Sequence, residues 1–179
     1  MESLKEGRVL PLHQKGDAMT TDLQMSPTYI GRVIQTVSQV LAAGKWWGLF
    51  DDKADGWFCL ASKQGDPILG LSTSPVLGGY SAAHRICVER EVSWLVAWMG
   101  DNKVSTTSLF HEQRGSPAVV FAGHNLLFSY TSDLDYQWNE AIAVVTAIRM
   151  DQFRQELISD KRFDLQTNPK IVKLLEVTN

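Results

Sequence analysis

The chain has 179 residues, 44% hydrophobic and 21% charged, enough to bury one core without disulfide or metal staples. Its 17 Lys and Arg against 20 Asp and Glu leave a net charge of −3, without the basic footprint of a protein that neutralises many phosphates, so nucleic acid is not an expected partner. No run of about 18 apolar residues occurs, nor an apolar segment behind a basic start, and the expectation is a cytoplasmic protein with no membrane span and no secretory signal.

Residues 1–25 show little periodicity and read as an N-terminal tail. Ser26-Pro27 then opens a helix, with Ser as cap and Pro at the first helical position, where a missing N–H costs nothing. Ile30, Val33, Ile34, Val37, Val40 and Leu41 form its apolar stripe, and Gly44 is the expected terminator. Trp46 to Phe50 reads as a strand, 51–56 as a loop, and Trp57 to Leu60 as a second strand. Lys63-Gln64-Gly65-Asp66 has turn composition, and Pro67, Ile68, Leu69 and Leu71 begin the return strand. After a Pro- and Gly-containing loop, Ser81 is placed as the cap of a long helix running through Met99 to a stop at Gly100. Its apolar positions occupy more than one face, which suits a helix sandwiched in the fold or covered by a second subunit. Trp94 and Trp98, four apart, fit core or a subunit contact.

Residues 101–116 are polar and irregular, and the stretch Pro117–Met150 that follows is the most legible part of the chain. Val119, Val120 and Phe121 run into Gly123-His124-Asn125, and Leu126, Leu127, Phe128 and Tyr130 run away from it, the composition of a hairpin. Asp133 and Asp135 suit the first turn of a helix carrying Ala141, Ile142, Val145 and Ile148, which Phe153, Leu157 and Ile158 would extend. Asn168-Pro169 starts a short terminal helix with Ile171, Val172, Leu174 and Leu175 as its apolar side. Strand, turn, strand and helix thus occur twice. The expected architecture is α+β: two ββα units after an N-terminal helix, giving an antiparallel sheet of about five strands flanked by helices. Residues 26–160 form the domain on this reading, and 161–179 a C-terminal extension.

Chemistry-bearing motifs are sparse. His13, His84, His111 and His124 have no metal-ligand spacing, and Cys59 and Cys87 read as free thiols, so no metal is expected. There is no Gly-x-Ser-x-Gly elbow and no glycine-rich phosphate cradle, and Cys59 has no basic sequence neighbour to lower its pKa. What remains is His84-Arg85 near a helix start, the charged run Glu89-Arg90-Glu91, His111 and Arg114 in the irregular segment, and Glu140 early in the third long helix. An imidazole and guanidinium beside free helix N–H groups can hold a carboxylate or phosphate. Glu140 favours the helix N-terminus electrostatically and is also a candidate general base.

The first hairpin, Phe58-Cys59-Leu60-Ala61-Ser62-Lys63-Gln64-Gly65-Asp66-Pro67-Ile68-Leu69, resembles the first hairpin of the GlcG/HbpS-like family, which includes the C-terminal domain of some cobalamin adenosyltransferases. Glu89-Arg90 fills the slot of that family's acidic-Lys pair, and Trp138-Asn139-Glu140-Ala141 is similar in place to its Asp-Glu-Ala sequence. The resemblance covers roughly residues 28–150 and implies a profilin-like fold, homo-oligomers and, in some members, binding of haem or corrinoid-related ligands. It would also direct Arg90 toward the family's pocket. Helix 26–43 has no His, so a haem ligand placed there in some relatives has no counterpart. The resulting expectation is a non-catalytic, oligomeric protein binding an anionic or tetrapyrrole-like small molecule through His84, Arg85, Arg90, His111, Arg114 and Glu140, between the second helix and segment 101–116. A cofactor-independent enzyme with Glu140 or a histidine as base, and a protein-interaction module, are the alternatives.

Overall fold

A computed structural model describes residues 26–73, 80–99, 106–110, 116–163 and 165–179. Helix α1 spans Pro27–Trp46, strand β1 Gly56–Ser62, β2 Pro67–Ser72, helix α2 Tyr80–Met99, β3 Val119–Ala122, β4 Leu126–Ser132, helix α3 Tyr136–Arg149 and helix α4 Pro169–Thr178. The strands form one antiparallel sheet in the order β2-β1-β4-β3, so the two hairpins join through β1 and β4 at its centre.

Alternation along the central strands divides the interior. Phe58 and Leu60 of β1, Leu126, Phe128 and Tyr130 of β4, and Phe121 of β3 point to one face, where α1, α3 and α4 cover them with Val33, Val37, Val40, Ile142, Val145, Ile171 and Leu174. Cys59, Ala61, Val120 and Leu127 point to the other face, where Val88, Val92 and Leu95 of α2 close a smaller cluster. The two ββα units are thus repeated in chain order but not in packing, because their helices lie on opposite faces. Helix α3 is buried from Asn139 through Ala147, and its all-round apolar sequence follows from that central place.

Capping follows the sequence closely. Ser26 Oγ accepts from Tyr29 N, Asp135 Oδ1 accepts from Gln137 N and Trp138 N, and Asn168 Oδ1 accepts from Lys170 N. Asp135 alone of the two predicted aspartates makes these bonds. Three expectations are corrected. Trp46 to Phe50 is not a strand: α1 runs through Gly44 to Trp46 and the chain then turns. The reason is local, since a Cβ on Gly44 would lie 2.1 Å from Phe50 Cζ, so this glycine admits the Phe50 ring against the helix instead of ending it. The described residues accordingly hold four strands rather than about five, with one isolated antiparallel bridge, Thr106 to Phe121, beyond the β3 edge. Finally, α3 stops at Arg149, and Phe153, Leu157 and Ile158 pack from a turn and a 3-10 helix over Gln155–Ser159. Helix α2 begins at Tyr80, one residue ahead of the expected cap Ser81. The tail 1–25, Gly100 and segments 101–105 and 111–115 lie outside the described residues.

Candidate functional site

Glu140 is 3% exposed, one turn into α3. Thr106 Oγ1 donates to its Oε1 at 2.8 Å and Ser108 Oγ donates to the same oxygen, while Asn168 Nδ2 donates to Oε2 at 2.8 Å. Both carboxylate oxygens are therefore engaged by fixed donors drawn from the 106–108 segment and from the N-cap of α4. Next to it, the fully buried Asn139 accepts from Ser132 Oγ at 2.6 Å and donates to Pro117 O at 2.8 Å. Consecutive polar residues in a buried helix thus fasten four places in the chain to it, at 106–108, Pro117, Ser132 and Asn168, as buried polar groups require. Such a carboxylate is well placed to organise structure, and Ser108, half-buried, is the group through which it would act on anything outside.

Of the other candidates, Arg85, Arg90 and His124 are described, and none of them joins it. Arg85 and Arg90 are exposed on α2, across the sheet from α3, and Arg85 Nε faces Glu89 Oε1 at 3.6 Å, a solvent-exposed i,i+4 pair of small energetic consequence. His84 lies on α2, but its side chain is outside what the structure describes, as are His111 and Arg114 altogether. Of the charged run Glu89-Arg90-Glu91, Glu91 is buried while Glu89 and Arg90 are exposed. His124 is exposed in the β3–β4 turn, where its backbone N–H donates to Gln152 O at 2.6 Å. Cys59 is buried under α2, and burial, with the Glu89 charge adding to it, pushes its thiol up to about 11, so it remains protonated and a poor nucleophile at neutral pH. Cys87 is half-buried and both thiols are free. Among the described residues no group of three or more His, Cys, Asp or Glu is placed to hold a metal, and no helix is long and apolar enough to cross a membrane.

A site that the sequence reading missed lies between α1 and the end of α3. Arg32, Gln35, Thr36 and Gln39 recur at i, i+3, i+4 and i+7, a polar stripe beside the buried Val33, Val37 and Val40. With Ile148, Arg149, Asp151, Gln155 and Asn179 they line an open cleft of about 450 Å³. Its floor is built by the end of α3. Gln152 N donates to Ala147 O at 2.9 Å, and Asp151 takes a left-handed conformation at φ 59°, the geometry of a helix C-terminus usually given to glycine. Arg32 Nη2 secures that turn, donating to Arg149 O at 3.1 Å and Asp151 Oδ2 at 2.9 Å. Tyr29 lies close by, its phenol raised chiefly by burial and secondarily balanced between Arg32, which lowers it, and Asp151, which raises it. Its Oη is buried with no hydrogen-bond partner. Arg149 itself is exposed and has no ion-pair partner among the described residues. The signal was present as the spacing of Arg32, Gln35, Thr36 and Gln39, hidden because a polar helical stripe ordinarily reads as a solvated face.

The chain matches no protein-family model, no curated protein and no solved structure.

Proposed function

We propose that the chain is a non-catalytic binding protein for a small anionic solute. The observation that carries this reading is the cleft between α1 and α3, whose volume falls in the range of small-molecule sites and whose lining combines the Arg149 cation with the amides of Gln35, Gln39 and Gln155. Guanidinium and amide groups suit a carboxylate or phosphate. Haem does not fit this cleft: Ile148 is its one apolar lining side chain and no His is among its lining residues. The non-catalytic half of the reading is supported by the protonated Cys59 thiol and by the full engagement of Glu140. On this reading the fold is profilin-like, and the protein works as a homo-oligomer in the cytoplasm.

The test is calorimetric titration with citrate, glutarate and inorganic phosphate. Saturable binding that is lost in Arg149→Ala and kept in Arg85→Ala/Arg90→Ala is the expected result. Loss only in the second variant would move the site to α2, and absence of binding to all three would overturn the reading. One observation favours an enzyme instead. Ser108 Oγ donates to Glu140 Oε1, the arrangement of a hydroxyl activated by a carboxylate. Covalent labelling by an organophosphonate that disappears in Ser108→Ala would decide for that alternative.

A further inference from the structure

Trp46 and Trp47, at the end of α1, are 86% and 64% exposed, the two most exposed large apolar side chains among the described residues. Their exposure is built rather than loose. Trp47 N donates to Ala43 O at 3.0 Å, Gly48 N to Lys45 O at 3.0 Å and Leu49 N to Gly44 O at 2.9 Å, while Gly48 at φ 68° makes the turn that sends Phe50 into the core. The same corner therefore buries Phe50 and holds two indoles in water. Indoles are hot-spot side chains that contribute when a partner dries them.

The surroundings favour a cationic partner. Asp51, Asp52 and Asp133 are exposed, Asp52 at 97% of its side chain, and Asp133 N donates to Lys53 O at 3.1 Å, which brings the third carboxylate to the same loop. With Asp55 they make four carboxylates against Lys45 and Lys53, and Lys45 is already committed to Asp55 at 2.8 Å and Asp52 at 3.3 Å. An acidic surround repels an anionic lipid surface, and it attracts guanidinium or ammonium groups that can also lie over indole faces.

We infer that the Trp46–Trp47 corner docks an Arg- or Lys-bearing segment of a partner protein, with the indoles taking the cations by face and Asp51, Asp52 and Asp133 pairing with them at the rim. This surface stands at the C-terminal end of α1, whereas Arg32 to Gln39 of the cleft lie on its N-terminal half and middle. The experiment is fluorescence anisotropy of the full chain with a short labelled peptide of alternating Arg and Gly, against its Glu-Gly counterpart. The Arg-Gly peptide should bind and the Glu-Gly peptide should not. Trp46→Ala/Trp47→Ala should weaken binding about tenfold, and Asp51→Asn/Asp52→Asn should weaken it less while flattening its salt dependence. All four side chains are exposed, so far-UV circular dichroism should be unchanged in both variants. Absence of Arg-Gly binding, or full binding by the tryptophan variant, would overturn the inference. So would tryptophan-dependent co-sedimentation with phosphatidylcholine–phosphatidylglycerol vesicles, or concentration-dependent self-association that only the tryptophan variant loses, since these assign the corner to a membrane or to a second copy.

Discussion

Asn168 Nδ2 reaches Glu140 Oε2 at 2.8 Å, and the same nitrogen donates to Gln137 O at 2.7 Å, so the residue that caps α4 also fastens it to the first turn of α3. Glu140→Ala would remove the acceptor of one Asn168 N–H and of the hydroxyls of buried Thr106 and half-buried Ser108. The expected cost is about 2–4 kcal/mol in urea unfolding. Glu140→Gln should cost less than Glu140→Ala, because the hydroxyls can rotate to accept from an amide while its oxygen still accepts from Asn168.

Tyr130 is fully buried, with its Oη donating to Ala54 O and lying 2.9 Å from Thr73 Oγ1. Tyr130→Phe keeps the ring and removes those bonds, and denaturant titration should show a loss of about 1–2 kcal/mol. A loss well below this range would mean that water replaces the phenol at Ala54 O.

Alkaline pH should destabilise the fold through two buried acids. The Cys59 thiol ordinarily ionises near 9 and is held up to about 11, and burial likewise raises the Tyr130 phenol above its ordinary 10. In each case the unfolded chain loses its proton first, so the contribution to stability is fully present below the unfolded value and is lost as pH climbs to the folded one. For Cys59 that window is pH 9 to about 11. Unfolding free energies across it should fall by on the order of 1–3 kcal/mol more in the parent than in Cys59→Ser. Iodoacetamide at neutral pH should modify Cys87 ahead of Cys59, as read by peptide mass spectrometry.

Gly44→Ala is expected to be severe for so small a change. The added carbon would sit 2.1 Å from Phe50 Cζ and 2.6 Å from both Cε atoms, and the ring is held against Trp138 in an edge-on contact at 5.3 Å. Displacing it should cost about 2–4 kcal/mol by thermal or urea unfolding, and should blunt peptide capture at the Trp46–Trp47 corner as the turn shifts. Gly31→Ala on the same helix meets nothing within 4 Å and should be neutral or slightly stabilising, which makes it the control.

Much of the fold was legible because local rules and tertiary packing agreed. Ser26-Pro27, Asp135 and Asn168-Pro169 mark helix starts by their own chemistry, and the hairpin around Gly123-His124-Asn125 follows from apolar runs on either side of a turn. The misreading at Trp46 to Phe50 came from composition: aromatic residues after a glycine look like a strand after a helix stop, and only the Phe50 ring lying over Gly44 reverses that. The site was less legible. Glu140 was singled out, but its donors Thr106, Ser108 and Asn168 are 28 to 34 residues away, and no spacing rule links them. The cleft needed Asp151 and Asn179 brought to α1 by tertiary packing, so its α1 stripe alone carried no indication of a second wall.

The two faces of the sheet are not equally secured. Beneath α2, Ser129 Oγ and Thr131 Oγ1 are buried with no hydrogen-bond partner, and among the described residues the helix closes over this face with Val88, Val92 and Leu95, a smaller cluster than the one on the α3 side. Lifting α2 would return both hydroxyls to water, which lowers the cost of that motion relative to separating α3 from the other face. The molecule is therefore a hinged book with one stiff cover: amide protons of α2 should exchange through a shallow local opening, while those of α3 wait for the whole fold to come apart.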